Sequence, residues 1–277
     1  MSAQLDGTVG WDRRRLVFVL GVVVAAGVAL ILGLGFAIYF AISSAMSGGH
    51  GDSGSTGKKS HTSTHATGTA HRNEIAAEPM LTVDQEAAQP GPPAAVAAKT
   101  VNIPQGTTQG PAGVPSGFPH SPEGALGQLA AIEQVVLQSM SIQQVDSIHA
   151  GWAMPGAPNV AKWPLTQDVQ TFLGDAQMGG TLDPTSTVVV TPVGAQIKGS
   201  DGPDWVLACV LVKVHATITQ DAQMGYGYCE RMQWHTGRWM IAPGALAYPA
   251  PSTWPGSDIS NKAGWKTWAG ADEGSDQ

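Results

Sequence analysis

The sequence predicts an α+β domain that one N-terminal transmembrane helix anchors to a membrane. Three observations predict this arrangement. An uncharged apolar run extends from Leu16 to Ile42, apolar residues recur at helical spacing from Leu126 to Met140, and stretches rich in β-branched and aromatic residues follow between Thr187 and Ala242. Helices that precede a set of consecutive strands are typical of the α+β class.

The apolar run is long enough to cross a membrane as a helix. At about 1.5 Å per residue it spans a hydrocarbon core roughly 30 Å thick. Positive charge is concentrated on its N-terminal side, at Arg13, Arg14 and Arg15, whereas the stretch from Ser43 to Gly57 contains no Lys or Arg. Because positive charge stays inside the cell, we expect a cytoplasmic tail at 1–15, a membrane helix at 16–43 and an extracytoplasmic location for the rest.

A cleaved signal peptide is the alternative interpretation of the same run. Ala41-Ile42-Ser43 would serve as a small-residue cleavage site. The apolar region of a signal peptide is about 7–15 residues long, and this one is much longer. The sequence therefore favours an uncleaved anchor and a single-pass protein of the cell membrane.

The predicted membrane helix carries a small residue at every fourth position, namely at Gly21, Ala25, Ala29, Gly33, Ala37 and Ala41. Small residues let two helix backbones approach closely, and this contact drives association of helices in a membrane. Chance is the alternative origin of the pattern, because the segment is rich in Gly and Ala. The pattern predicts helix pairing and hence a homo-oligomer.

Residues 44–116 are predicted to form a disordered linker. Gly, Ser, Thr, His, Ala and Pro dominate this segment, and apolar periodicity is almost absent. Such a chain does not bury enough apolar surface to offset the entropy that it would lose on folding. His61 and His65 have the i, i+4 spacing of helical metal ligands, but no helix-forming sequence surrounds them, so we expect no metal site.

The predicted domain covers residues 117–250 and begins with helices. Ser121 is the expected N-cap of the first helix, with Pro122 at the first helical position and acidic Glu123 in the first turn. Ser141 through Trp152 is expected to continue as a second helical piece, and another helix is predicted from Leu165 to Met178, with Thr166 as its cap. Residues 251–277 are assigned to a C-terminal extension.

The strands are predicted to form an antiparallel meander at Thr187–Ile197, Trp205–Thr219, Tyr226–Trp234 and Arg238–Ala242. The second of them is apolar on both faces in its first half, which predicts a central strand with a helix on one face. A turn centred near Thr219 places Cys209 directly opposite Cys229. Opposed Cβ atoms lie about 4.5–5.5 Å apart, and an oxidising exterior favours a disulfide over two buried thiols.

A resemblance to a known family rests on four stretches, which are Gly117–Ala125, Cys229–Trp234, Gly237–Gly244 and Pro251–Gly256. At these residues the chain resembles bitopic membrane proteins encoded on actinobacterial integrative and conjugative elements. Their architecture is in turn similar to the inner-membrane assembly component of type IV secretion channels. The resemblance implies an extracytoplasmic domain of the nuclear transport factor 2-like cone type, with helices packed into a curved antiparallel sheet, and it transfers no catalytic residues.

The function expected from these features is that of a non-catalytic scaffold or assembly subunit of a cell-envelope conjugative DNA-transfer apparatus. Its partners would be the membrane, further copies of itself and other subunits of the transfer channel, with no cofactor. The net charge of −7 and the lack of a large basic cluster argue against direct contact with nucleic acid.

Two other function classes stay open at this point. A cell-wall or carbohydrate-binding module is suggested by eight tryptophans, although a tryptophan on a strand is more often part of the core. These are Trp152, Trp163, Trp205, Trp234, Trp239, Trp254, Trp265 and Trp268. An enzyme is the third class, with Asp204, His215 and Glu230 as the acid–base candidates.

Overall fold

The computed structural model describes residues 67–270 and shows an α+β domain with a curled, antiparallel-rich sheet and several helices. Its α-helices are α1 (Thr69–Ala77), α2 (Pro122–Ser139), α3 (Ile142–Trp152), α4 (Pro164–Asp175) and α5 (Asp258–Lys262). Its strands are β1 (Thr100–Ile103), β2 (Thr108–Gln109), β3 (Pro115–Ser116), β4 (Thr187–Ser200), β5 (Trp205–Thr217), β6 (Asp221–His235), β7 (Arg238–Ile241) and β8 (Lys266–Gly270). The α+β prediction is therefore confirmed.

The main sheet has the strand order β1-β8-β4-β5-β6-β7. Strands β4 to β7 form the predicted antiparallel meander, whereas β1 and β8 pair in parallel at one edge. Thr236 and Gly237 connect β6 to β7 with φ angles of 49° and 81°. Positive φ at both central residues is the feature of the two-residue turns that match the twist of a hairpin.

Local signals in the sequence set where the helices begin. The Ser121 hydroxyl accepts a hydrogen bond from the Gly124 amide at 3.1 Å, and Pro122 occupies the first position of α2 as predicted. Helix α4 begins at Pro164. The predicted cap Thr166 is instead the third residue of this helix, and its side chain is buried. Proline has a φ angle that suits the first helical position, so Pro164 rather than Thr166 starts the helix.

Strand β5 is central, and both of its faces are covered. Alternate side chains, those of Val206, Ala208, Val210 and Val212, join the core under helices α2, α3 and α4. The intervening side chains of Trp205, Leu207, Cys209 and Leu211 are also buried, and they pack against α1 and the C-terminal residues. The prediction of a helix on one face holds, and a second layer covers the other face.

The prediction of a disordered linker at 44–116 is wrong for residues 67–116. Ile75 and Ala76 of α1 pack on Trp205 and Leu207, and Ile103 of β1 is buried in the main core. Few residues of this segment carry a large apolar side chain, but some of those few contact side chains far away in sequence, and local periodicity does not record such contacts. Residues 44–66 lie outside the described part of the chain.

The predicted domain limits of 117–250 are also too narrow. Strand β8, which was assigned to the C-terminal extension at 251–277, lies between β1 and β4. The indole Nε1 of Trp265 donates a hydrogen bond to the Pro251 carbonyl at 3.0 Å and helps to close the second layer. The extension is thus part of the sheet as far as Gly270, because the far face of β4 and β5 is apolar and needs a cover.

The predicted anchor at 16–43, its flanking arginines and its ribbon of small residues all lie outside the described residues. Between 67 and 270, no helix is long and apolar enough to cross a membrane.

Candidate functional site

A cluster of acidic and tyrosine side chains lies in the core between the helices and the sheet. Helix α2 contributes Glu133, helix α4 contributes Asp168, and strand β6 contributes Tyr226, Tyr228 and Glu230. The three β6 residues alternate along the strand and therefore share the helix-facing side. Glu133, Asp168 and Glu230 are only 0%, 8% and 4% exposed. We call these five residues the interior carboxyl cluster.

Glu230 is fully satisfied by hydrogen bonds. The Trp163 indole Nε1, just before α4, donates to Glu230 Oε2 at 3.0 Å and to the Tyr228 hydroxyl at 3.0 Å. The Tyr228 hydroxyl donates to the same Glu230 oxygen, and the Arg231 amide donates to Oε1 at 2.9 Å. Burial raises the pKa of Glu230, and the bonds from Tyr228 and Trp163 oppose this rise.

Asp168 accepts a hydrogen bond from the Tyr226 hydroxyl, which lies 2.5 Å from its Oδ2. Burial raises the pKa of Asp168 from 3.8 to about 7, although the tyrosine bond acts in the opposite direction. The pKa of Tyr226 is in turn raised well above 10, first by burial and then by the charge on Asp168. Tyr226 is therefore a hydrogen-bond donor to Asp168, and its hydroxyl stays protonated at neutral pH.

Glu133 has no hydrogen-bond partner on either carboxyl oxygen within residues 67–270. Burial raises its pKa well above 4.5, and the charge on Asp168 raises it further. An unpaired carboxylate in a core costs several kcal/mol, so the side chain instead keeps its proton and stays neutral. Burial therefore favours the protonated, neutral form of both Glu133 and Asp168.

Metal binding requires several ligands at one place. No group of three or more His, Cys, Asp or Glu side chains in the described range is arranged to hold a metal ion.

The opposite face of β6 carries a buried cation. Arg231 is 2% exposed, its Nη2 donates to Asn73 Oδ1 at 2.9 Å, and its guanidinium lies 5.9 Å from the centre of the Trp205 ring. Arg72 of α1 lies 5.6 Å from the same ring and bonds Asp201 Oδ2 at 2.6 Å. These contacts hold α1 on the sheet, so Arg231 is a packing residue on the face away from the carboxyl cluster.

The three acid–base candidates from the sequence do not meet. Asp204 lies at the start of β5, where its Oδ1 is 2.8 Å from His120 Nε2. His215 lies near the far end of β5, 3.5 Å from Asp221 Oδ1. Glu230 belongs to the interior carboxyl cluster, so the structure does not unite these residues in one site.

The tryptophans serve mainly as core residues. Trp152, Trp163, Trp205, Trp239 and Trp265 are buried, and Trp234, Trp254 and Trp268 are half-buried. A carbohydrate-binding surface would need a row of exposed tryptophans, and none of the eight between 67 and 270 is exposed.

The predicted disulfide between Cys209 and Cys229 is present. The two residues are paired directly across β5 and β6, as the turn centred on Thr219 requires. The bond lies on the face of the sheet covered by Met80, Leu81 and Trp265. It joins the two central strands beneath the second layer.

Sequence reasoning missed four members of the interior carboxyl cluster. Two signals were present: Glu133 falls on the apolar face of α2, and Tyr226, Tyr228 and Glu230 alternate on one strand. An acidic residue on an apolar helix face indicates a buried polar group, but its partners come from α4 and β6 and depend on the tertiary fold.

Comparison of the chain with protein-family models, with curated proteins and with solved structures gave no significant match.

Proposed function

We propose that this chain is a non-catalytic scaffold subunit of a cell-envelope conjugative DNA-transfer apparatus. In this proposal the chain is anchored by residues 16–43, with a cytoplasmic N-terminus and an extracytoplasmic cone of the nuclear transport factor 2-like type. It assembles as a homo-oligomer with other subunits of the channel and binds no nucleic acid directly.

The observation that carries the proposal is the packing role of the segments on which the resemblance rests. His120 of the first segment stacks on Trp234 of the second, with ring centres 4.4 Å apart and an angle of 11° between the ring planes. The Trp239 indole donates to the Pro119 carbonyl at 2.9 Å. Residues that join elements in this way maintain a shape, which is what a scaffold requires.

The fourth segment contacts the sheet from the other side. The Ser252 hydroxyl accepts a hydrogen bond from the Gly227 amide at 3.1 Å. At Gly225, a Cβ atom would lie only 1.9 Å from the Thr253 carbonyl oxygen, so only glycine permits this approach. This tight contact also supports a structural rather than a chemical role.

The corrected boundary limits how far the domain could lie from the proposed anchor. Only residues 44–66 separate the proposed anchor from the described domain, and a chain of this length spans at most about 80 Å. Neighbouring anchors that pair would therefore bring their domains together at high effective concentration.

A scaffold is preferred over a cell-wall or carbohydrate-binding module. A wall-binding surface needs exposed aromatic rings, and the eight tryptophans between 67 and 270 are buried or half-buried. An enzyme is the weaker alternative because Asp204 and His215 lie at opposite ends of β5.

The proposal is tested by substitutions in the anchor. Replacing Ala29 and Gly33 by Ile should block close helix contact, weaken oligomers detected by cross-linking and lower the frequency of conjugative transfer. Val24→Ile, on the opposite side of the predicted helix at 100° per residue, is the matched control and should have no effect.

Substitutions in the domain complete the test. His215→Asn and Asp204→Asn should leave transfer intact in a stably folded protein. Loss of transfer in these variants, together with normal transfer after the anchor substitutions, would show that the scaffold role is wrong. A reporter fused after Gln277 should be active only outside the cytoplasm.

A further inference from the structure

The scaffold role leaves the interior carboxyl cluster unexplained. Glu133 and Asp168 reach the core from two different helices, and no cationic side chain of the described residues contacts either carboxyl. Replacement of such groups by apolar ones of similar size would be expected to stabilise a fold that only has to be rigid. Two buried carboxyls without a cationic partner therefore suggest a role other than rigidity.

Strand β6, the residue before α4 and helix α3 supply the polar groups around these two carboxyls. Strand β6 presents Tyr226, Tyr228 and Glu230, and the residue before α4 presents the Trp163 indole. Helix α3 contributes His149, whose ring lies 5.3 Å from Trp163 and whose Nε2 is 2.9 Å from the Pro158 carbonyl.

The only arginine next to the cluster in sequence is Arg231, and its side chain lies on the other face of the sheet. The positive charge of Arg231 lowers the pKa of Glu230, whereas Glu133 and Asp168 have no neutralising cation among the described residues.

We propose that Glu133 and Asp168 form a proton-binding site that holds helices α2 and α4 against strand β6 and loosens this contact when its protons are lost. The ligand is the proton itself. Proton binding takes the place of a neutralising cation, because protonation removes the negative charge of each carboxylate where α2, α4 and β6 meet. This inference is independent of the scaffold role.

The direction of the effect follows from linkage. Asp168 keeps its proton to about pH 7 in the folded chain, whereas the unfolded chain loses it near 3.8. The stability that this proton contributes is full below about pH 4 and is lost as pH rises towards 7. Within this window the unfolding constant rises by up to about tenfold per pH unit for each such group. Glu133 acts in the same direction, because burial raises its pKa in the folded chain as well.

Infrared spectroscopy of the purified full-length chain tests the bound proton directly. At pH 7 the wild type should show the carbonyl-stretch band of a protonated carboxylic acid in an apolar environment. Glu133→Gln should reduce this band, whereas Asp146→Asn, a change at an exposed residue of α3, should leave it unchanged. A wild-type spectrum without the band at pH 7 would overturn the proposal.

Chemical denaturation tests the coupling to the fold. Between pH 5 and pH 7 the wild-type unfolding constant should rise, and Asp168→Asn should flatten this rise by up to about tenfold per pH unit, while its amide oxygen still accepts the Tyr226 bond. Asp146→Asn should keep the wild-type slope. Equal slopes in wild type, Asp168→Asn and Glu133→Gln would refute the coupling, and the wild-type infrared band decides the matter if neither variant folds.

Discussion

Gly199 of strand β4 lies directly beneath Ile75 of helix α1, so close that a Cβ atom at position 199 would come within 2.6 Å of the isoleucine Cγ2. The carbonyl of the next residue, Ala76, accepts hydrogen bonds from the Tyr248 amide at 2.7 Å and from Lys198 Nζ at 3.2 Å. Helix α1 is therefore seated on the sheet by both shape and hydrogen bonds. The contact with Gly199 thus attaches the mostly polar helix α1 to the folded domain.

Gly199→Val should displace α1 from the sheet. The added side chain would overlap Ile75, and overpacking of this kind costs about 1–3 kcal/mol. Limited proteolysis with a broad-specificity protease, followed by mass spectrometry, should show new cleavage between residues 67 and 99. Gly179→Val is the matched control, because a Cβ atom at Gly179 meets nothing within 4 Å. An unchanged cleavage pattern in Gly199→Val would show that α1 does not depend on this contact.

Removal of the disulfide by Cys209→Ala together with Cys229→Ala should lower the free energy of unfolding by about 3 kcal/mol. The bond closes a loop with a sequence separation of 20, and its loss restores the entropy of that loop in the unfolded chain. Chemical denaturation with and without reductant measures the effect. Reductant should destabilise the wild type and leave the double variant unchanged; an equal response in both would contradict the prediction.

Gln134→Ala should weaken the edge of strand β4. The Gln134 side-chain amide on α2 donates to the Val190 carbonyl at 2.8 Å, in the part of β4 that pairs with β5 on one side and with no strand of the described sheet on the other. Pro192, two residues further, lacks an N–H, which also discourages strand pairing.

Loss of the Gln134 bond should therefore cost about 0.5–1.5 kcal/mol and increase self-association through the opened edge. Denaturation and sedimentation velocity measure the two effects. Gln143→Ala, at an exposed position of α3, is the control and should change neither quantity. A Gln134→Ala protein that sediments like the wild type would show that the edge is protected by other means.

Tyr228→Phe should destabilise the domain by about 1–3 kcal/mol. The Tyr228 hydroxyl donates to Glu230 and accepts a bond from Trp163, and its removal leaves these buried groups with fewer partners. Thermal or chemical denaturation measures the loss. Tyr248→Phe, a half-buried residue on the other side of the sheet, is the control, and an equal loss in both variants would contradict a special role for the Tyr228 hydroxyl.

Features that depend on near neighbours along the chain could be predicted from the sequence. The Ser121 cap, the turn at Thr236-Gly237 and the meander from β4 to β7 follow from side-chain chemistry and alternation within a few residues. The pairing of Cys209 with Cys229 also followed, because a short turn places opposed positions of two adjacent strands in register.

Features that depend on partners distant in sequence became visible only in the folded domain. Ile75 and Gly199 meet across more than a hundred residues, β1 pairs with β8 from the opposite end of the domain, and Glu133 finds Asp168 only because α2 and α4 pack on the same strand. Each segment taken alone is too short, too polar or too weakly periodic to reveal its place. The physical reason is that burial is a property of the assembled layers: an apolar residue in a polar segment becomes core, and an acid on a helix becomes a proton site, only when another element covers it.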